Sequence, residues 1–148
     1  MRRAAGTTIL LATLMLFGSC SAGITDDTEP PAEGVVLRIV VEGEVTADWT
    51  LADLEDRVMF TELTIDGDTQ SGPLLVDVLR ASGVVDWESG EVLGSGEGRV
   101  FEVKLDVSSS EVDDGWILDV TKQGTLKLAS ADLARQEWVR DVGEIRFP

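Results

Sequence analysis

Apolar residues recur along this chain in short runs punctuated by Gly, Asp and Pro, the pattern of a strand-rich domain with few helices. Residues 35–41 (VVLRIVV) form an almost unbroken β-branched run and predict a buried strand, turned by Glu42-Gly43-Glu44. A short helix is expected to start at Trp49-Thr50-Leu51, with Thr50 as N-cap and Asp53 three residues on, in capping-box spacing. Residues 58–65 (VMFTELTI) read as a second strand with Met59, Leu63 and Ile65 on one face, followed by a turn at Asp66-Gly67-Asp68. Ser71-Gly72-Pro73 introduces the clearest helix, over 74–81, whose stripe is Leu74, Leu75, Val78 and Leu79 and whose stop is Gly83.

Beyond that helix, Gly94-Ser95-Gly96-Glu97-Gly98 reads as a flexible connection. Residues 100–107 (VFEVKLDV) alternate, with Phe101, Val103, Leu105 and Val107 inward and Glu102, Lys104 and Asp106 outward. Further strands are predicted over 116–121, 125–128 and 142–147. No internal repeat and no second domain boundary interrupts residues 34–148. The fold class expected is α+β: β-rich mixed sheets with a few short helices.

The first twenty residues follow a different pattern. Arg2 and Arg3 precede an apolar stretch over 7–17 (TTILLATLMLF), which is of signal-peptide length and short of the ~20 residues that span a bilayer. Leu16-Phe17-Gly18-Ser19-Cys20 resembles the lipobox of bacterial lipoproteins, in which the Cys is lipidated and becomes the new N-terminus. The alternative is an ordinary secretory signal cut after Ala22. The resemblance implies a signal peptide over 1–19, lipidation at Cys20 and a domain held outside the cytoplasm on the cell membrane. Residues 20–33, with adjacent prolines and four acids, then form a tether reaching ~40 Å when extended.

Composition narrows the chemistry. The formal charge is −16, and removal of Arg2 and Arg3 with the signal lowers it by two, to −18. Such a field repels nucleic acid, which needs a basic face on its partner. The chain has no His, so His triads, His-ligated metals and His proton shuttles are excluded. A single Cys excludes an internal disulfide and a Cys-cluster metal site.

Local motifs read mostly as structure. Asp66 to Asp77 mimics a calcium loop, but Ser71 stands where such a loop needs Gly and Pro73 intrudes, so a turn is expected there. Asp113-Asp114-Gly115 is expected to be a turn as well. Ser108-Ser109-Ser110 has no base to activate it. The glycines over 94–98 lack dinucleotide-loop spacing and precede a strand. Of the four Trp, 49, 87, 116 and 138, Trp87 between Asp86 and Glu88 is the one expected to be exposed, as a possible binding anchor.

Four pieces in order then resemble a known family. They are Thr50-Leu51-Ala52-Asp53-Leu54; Ser71-Gly72-Pro73-Leu74-Leu75-Val76-Asp77-Val78-Leu79 with Ala81-Ser82-Gly83-Val84; Trp116-Ile117-Leu118 with Gly124-Thr125-Leu126-Lys127-Leu128; and Trp138-Val139-Arg140-Asp141-Val142-Gly143-Glu144-Ile145. Over about residues 35–147 the chain resembles the short, stand-alone oxidoreductase molybdopterin-binding domain, of sulfite-oxidase-like fold. The resemblance implies a cofactor cleft bordered by Asp66, Asp68, Ser71 and Gly72. Catalytic members place a Cys thiolate on molybdenum near that position, and this chain has Asp66-Gly67-Asp68-Thr69-Gln70 there. The nearest basic residues, Arg99, Lys122 and Lys127, stand among acids. The reading is therefore a membrane-anchored domain that binds a protein partner or small ligand without chemistry, with no cofactor and no catalytic or metal-ligating residues. The alternative is a molybdopterin-binding oxidoreductase component. Two carboxylates at the cleft mouth are expected to attract a cation or a basic segment.

The anchor has a direct check. Cys20→Ser should move the protein from the membrane fraction to the soluble extracytoplasmic fraction on immunoblotting, and unchanged membrane retention would refute lipidation.

Overall fold

A computed structural model of the chain describes residues 31–95 and 101–148. Cys20, the signal segment and most of the tether lie outside the described residues, as do Gly96, Glu97, Gly98, Arg99, Val100 and the side chains of Phe101 and Glu102. Strands β1 (Val35–Val41) and β2 (Glu44–Thr50) form an antiparallel hairpin. Its two turn residues, Glu42 (φ 53°) and Gly43 (φ 82°), are both left-handed, the geometry that matches strand twist in a two-residue turn. Leu37, Ile39 and Trp49 enter the core from this hairpin, and Trp49 Nε1 donates to Ser82 Oγ at 2.9 Å.

Helix α1 (Leu51–Arg57) starts where expected. Thr50 Oγ1 accepts from the Asp53 amide at 3.1 Å, and Asp53 accepts from the Thr50 amide at 3.2 Å. The Thr50 hydroxyl also donates to Asp53 at 2.6 Å, and these bonds hold the Asp53 carboxyl below the ordinary carboxylate range. Strands β3 (Phe60–Ile65) and β4 (Asp68–Pro73) make a separate two-stranded sheet around the Asp66-Gly67 turn. Helix α2 (Leu75–Ala81) buries Leu75, Val78 and Leu79. It ends at Gly83 with Val84 N–H bonded back to Leu79 C=O at 2.9 Å and Gly83 N–H to Arg80 C=O at 3.0 Å.

The remaining strands are β5 (Ser89–Ser95), β6 (Phe101–Ser108), β7 (Trp116–Val120), β8 (Leu126–Ser130) and β9 (Val139–Phe147). β9 is the hub of the large sheet, whose order is β2-β1-β9-β5-β6. On one edge it pairs antiparallel with β5; on the other it pairs first with β8, through Val142, then parallel with β1, from Glu144 to Phe147. Asp141, a left-handed residue (φ 50°), lies between the two residues that pair with β8, at the register shift in that ladder, and the partner changes after Val142. Core residues of β1, β5 and β9 alternate with a charged row on the opposite face. There Asp48 accepts two bonds from Arg38, at 2.7 and 2.9 Å, and Arg38 sits opposite Glu144 in register. Glu144 bonds Arg146, Arg146 sits opposite Glu91, and Glu91 pairs with Lys104.

The α+β expectation holds in this form: β-rich mixed sheets with two short helices. Several elements differ in detail. Strand β2 takes in Glu44, expected in the turn, and Trp49-Thr50, expected at the helix start, because Val45, Ala47 and Trp49 alternate with polar neighbours and pair along β1. Strand β4 is built from Asp-Thr-Gln-Ser-Gly-Pro, a sequence of low strand propensity held in place by β3 and β7. The Gly94-Ser95 stretch expected to be a flexible connection is the end of β5. A side chain at Gly94 would lie 2.3 Å from the Arg140 carbonyl, so Gly there permits close strand approach. Strand β3 starts at Phe60, which leaves Met59 78% exposed and off the apolar face. Val107 points inward as expected, while Val103, on the outermost strand, is 42% exposed.

Core truncation and surface truncation should separate cleanly in urea unfolding. Leu79→Ala should cost ~2–5 kcal/mol, whereas Met59→Ala should stay within about 0.5 kcal/mol.

Candidate functional site

The chain leaves α2 at Gly83 and crosses to β5 through Val84-Val85-Asp86-Trp87-Glu88. Val84 is buried and anchors the crossing, while Val85 is 66% exposed. Trp87 is half-buried, with its ring edge-on to Phe147, 5.1 Å between centroids at 65°. Phe147 is itself seated by Gly90, where a side chain would lie 2.7 Å from the ring. The crossing segment and Phe147, together with Val41 and Thr46 of the β1–β2 hairpin, line a groove of about 840 Å³. That is within the size range of small-ligand sites.

The groove is lined by apolar residues (Val41, Val84, Val85, Trp87 and Phe147) and by two carboxylates. Asp86 and Glu88 flank Trp87, and no Lys or Arg is among the lining residues. A second, smaller cavity of about 240 Å³ shares Val84, Val85 and Trp87 and reaches Arg80, whose guanidinium is bonded to Asp77 at 3.0 Å. Trp87 therefore borders two spaces of different charge. An aromatic face beside two carboxylates favours a cation carrying apolar surface. Asp86, Trp87 and Glu88 were legible as neighbours in sequence. Phe147 and Val85 carried no signal beyond strand and loop character, because only the β9 pairing brings Phe147 to Trp87.

Asp66, Asp68, Ser71 and Gly72 lie on the β3–β4 hairpin, and none of them lines this groove. Asp66 and Asp68 meet a cation supplied by the chain itself. Arg135, in the short 3-10 turn Arg135–Glu137, donates to Asp68 Oδ2 at 2.6 Å and to the Asp66 carbonyl at 3.3 Å. Its Nε lies 3.6 Å from Asp66 Oδ2, and its guanidinium stands 5.3 Å from the Trp138 ring centre. The bond to Asp68 is the main reason that Arg135 holds its proton more firmly than usual.

The next residues are committed as well. The Ser71 amide donates to Asp119 Oδ1 at 2.8 Å, and Asp119 Oδ2 lies 3.0 Å from Lys127 Nζ. Gly72 packs on β7 so closely that a side chain there would be 2.0 Å from the Leu118 carbonyl oxygen. Gln70 is 3% exposed, and its Oε1, which has no hydrogen-bond partner among the described residues, is an acceptor like a phosphate oxygen. A phosphate-bearing pterin does not fit these residues: they present acceptors, a spent amide and a closed backbone contact.

Other motifs settle as local structure. Asp113 Oδ1 accepts from the Gly115 amide at 2.8 Å, closing the expected turn. Asp77 lies in the first turn of α2. Ser108 and Ser110 hydroxyls bond one another at 2.8 Å. Among the described residues, no group of three or more His, Cys, Asp and Glu is placed to hold a metal ion, and no helix is long and apolar enough to cross a membrane. The chain matches no protein-family model, and it matches no curated protein.

The backbone contact at Gly72 has a sharp consequence. Gly72→Ala should lower stability by about 1–3 kcal/mol or more, measured by urea unfolding, because the Leu118 carbonyl cannot yield without breaking the β7 ladder. A loss within surface-substitution scale would mean that β4 does not lie on β7 at this distance.

Proposed function

We propose that the chain is an exported lipoprotein, held at the cell membrane through lipid on Cys20, whose sulfite-oxidase-like domain acts by binding and not by catalysis. Its ligand is a cationic, partly apolar segment of a partner protein, taken up in the groove beside Trp87. The observation that carries this reading is the groove: about 840 Å³, with a half-buried Trp and two carboxylates among its lining residues. Binding energy comes from covering the indole and Val85, and the acids orient the charge. The net charge of −16 steers a basic partner towards the domain from a distance. The run from Arg2 through Cys20 supports the anchor, and the acidic tether would hold the domain clear of anionic head groups.

The test is a titration of the purified full chain with a synthetic peptide of Leu and Arg, followed by Trp fluorescence and calorimetry. The basic peptide should bind, an acidic peptide of equal length should not, and affinity should fall as salt rises. Trp87→Ala should weaken binding by ten-fold or more, as for a central aromatic anchor. Asp86→Asn with Glu88→Gln, which leaves the packing intact, should slow association. Equal binding of the acidic peptide, or affinity indifferent to all three substitutions, would overturn the assignment.

A further inference from the structure

Strand β6 ends the large sheet: β5 pairs along its inner edge, and no strand pairs along its outer edge among the described residues. The direction of its backbone groups follows from one bond. The Ser109 amide donates to the Glu88 carbonyl at 3.0 Å, in the same register as Val107 opposite Gly90 and Leu105 opposite Val92. Hydrogen-bonded pairs alternate along an antiparallel ladder. The N–H and C=O groups of Val103, Leu105 and Val107 therefore point to β5, and those of Lys104, Asp106 and Ser108 point outward. An open row of this kind is a template for another strand, and charged residues are the usual guard against it.

Here the guards select a partner. In antiparallel self-pairing centred on Lys104, Lys would face Lys; centred on Asp106, Asp would face Asp. Centred on Leu105, Lys104 of each copy, which pairs with Glu91 and Asp106 of its own chain, also faces Asp106 of the other, twice. The pairs thus extend into a four-residue network, and all four residues have outward backbone groups. On the opposite face Leu105 meets Leu105, and the 42% exposed Val103 meets Val107. The charged row across the sheet, from Asp48 through Arg38, Glu144, Arg146 and Glu91 to Lys104, then continues into the second copy. Strand β2, at the other end of the sheet, carries Glu44 and Asp48 without Lys or Arg, so no register there pairs opposite charges.

We propose that β6 is a self-association edge, joining two copies of this chain antiparallel about Leu105 in a two-fold dimer. The facing charges are ~5.5 Å apart at the backbone, inside the ~8 Å screening length at physiological salt, whereas repulsion between the two acidic domains acts over longer distances and is screened.

Leu105 of one copy and Leu105 of the other form a non-hydrogen-bonded pair, ~4.5 Å apart at Cα, within disulfide range. The full chain carrying Cys20→Ser and Leu105→Cys, in detergent, should form a covalent dimer on mild oxidation, while Val45→Cys on β2 in the same background should not. Adding Lys104→Asp should reduce the dimer yield about ten-fold, because two attractive pairs become two repulsive ones. Adding Asp106→Lys to that variant should restore it. Sedimentation of the chain with Leu105 intact should give twice the single-chain mass and lose it with Lys104→Asp. A single-chain mass up to ~100 µM, equal cross-linking at Val45, or a yield that ignores Lys104→Asp or is not restored by Asp106→Lys overturns the proposal.

Discussion

The whole domain depends on β9 having two edges in use at once. Strands β1 and β5 do not pair with each other; each pairs with β9, and β8 joins the same sheet only through β9's first residues. Val142 serves both β5 and β8, and Glu144, Ile145 and Arg146 each serve both β1 and β5. Because β9 is near the end of the chain and β1 near the start of the domain, the central pairing spans most of the sequence. Loop closure over such a distance is entropically costly and slow, so the sheet is completed only when the last strand enters.

That same strand divides the sheet into two chemically different faces. Ile145 and Phe147 face the core with Leu37, Ile39 and Val92, and Glu144 and Arg146 belong to the charged row. Arg38 and Glu144 are 6% and 5% exposed, so their charges are tolerable only because each has a hydrogen-bonded partner of opposite sign. Phe147 at the end of β9 also sets the wall against which Trp87 stands. The candidate groove therefore needs sheet completion as well as the loop that carries Trp87.

Charge distribution separates the β3–β4 hairpin from the groove beside Trp87. At the β3–β4 hairpin, Arg135 answers Asp66 and Asp68 and lies against Trp138, so this acidic pair is part of the fold's internal electrostatics. At the groove, Asp86 and Glu88 border an aromatic surface without a basic side chain among the lining residues. A strongly acidic chain has carboxylates almost everywhere, and what distinguishes a docking position is the apolar surface beside them.

Local signals in the sequence were sufficient wherever one short segment sets its own conformation. Thr50 and Asp53 cap α1, the Glu42-Gly43 and Asp66-Gly67 turns form, and α2 buries Leu75, Val78 and Leu79 before stopping at Gly83. Trp87, expected to be exposed between its acidic neighbours, is half-buried against Phe147. Tertiary structure decided the rest. Strand β4 exists because β3 and β7 pair and pack with it, not because Asp-Thr-Gln-Ser-Gly-Pro favours a strand. Gly94 reads as flexibility and serves close approach to the Arg140 carbonyl. Arg135 is 67 residues from Asp68 and bonded to it. Capping, turns and helical stripes depend on neighbours within about one turn of the chain and leave a local trace. Strand pairing, ion pairing and the walls of a groove depend on residues that only folding brings together.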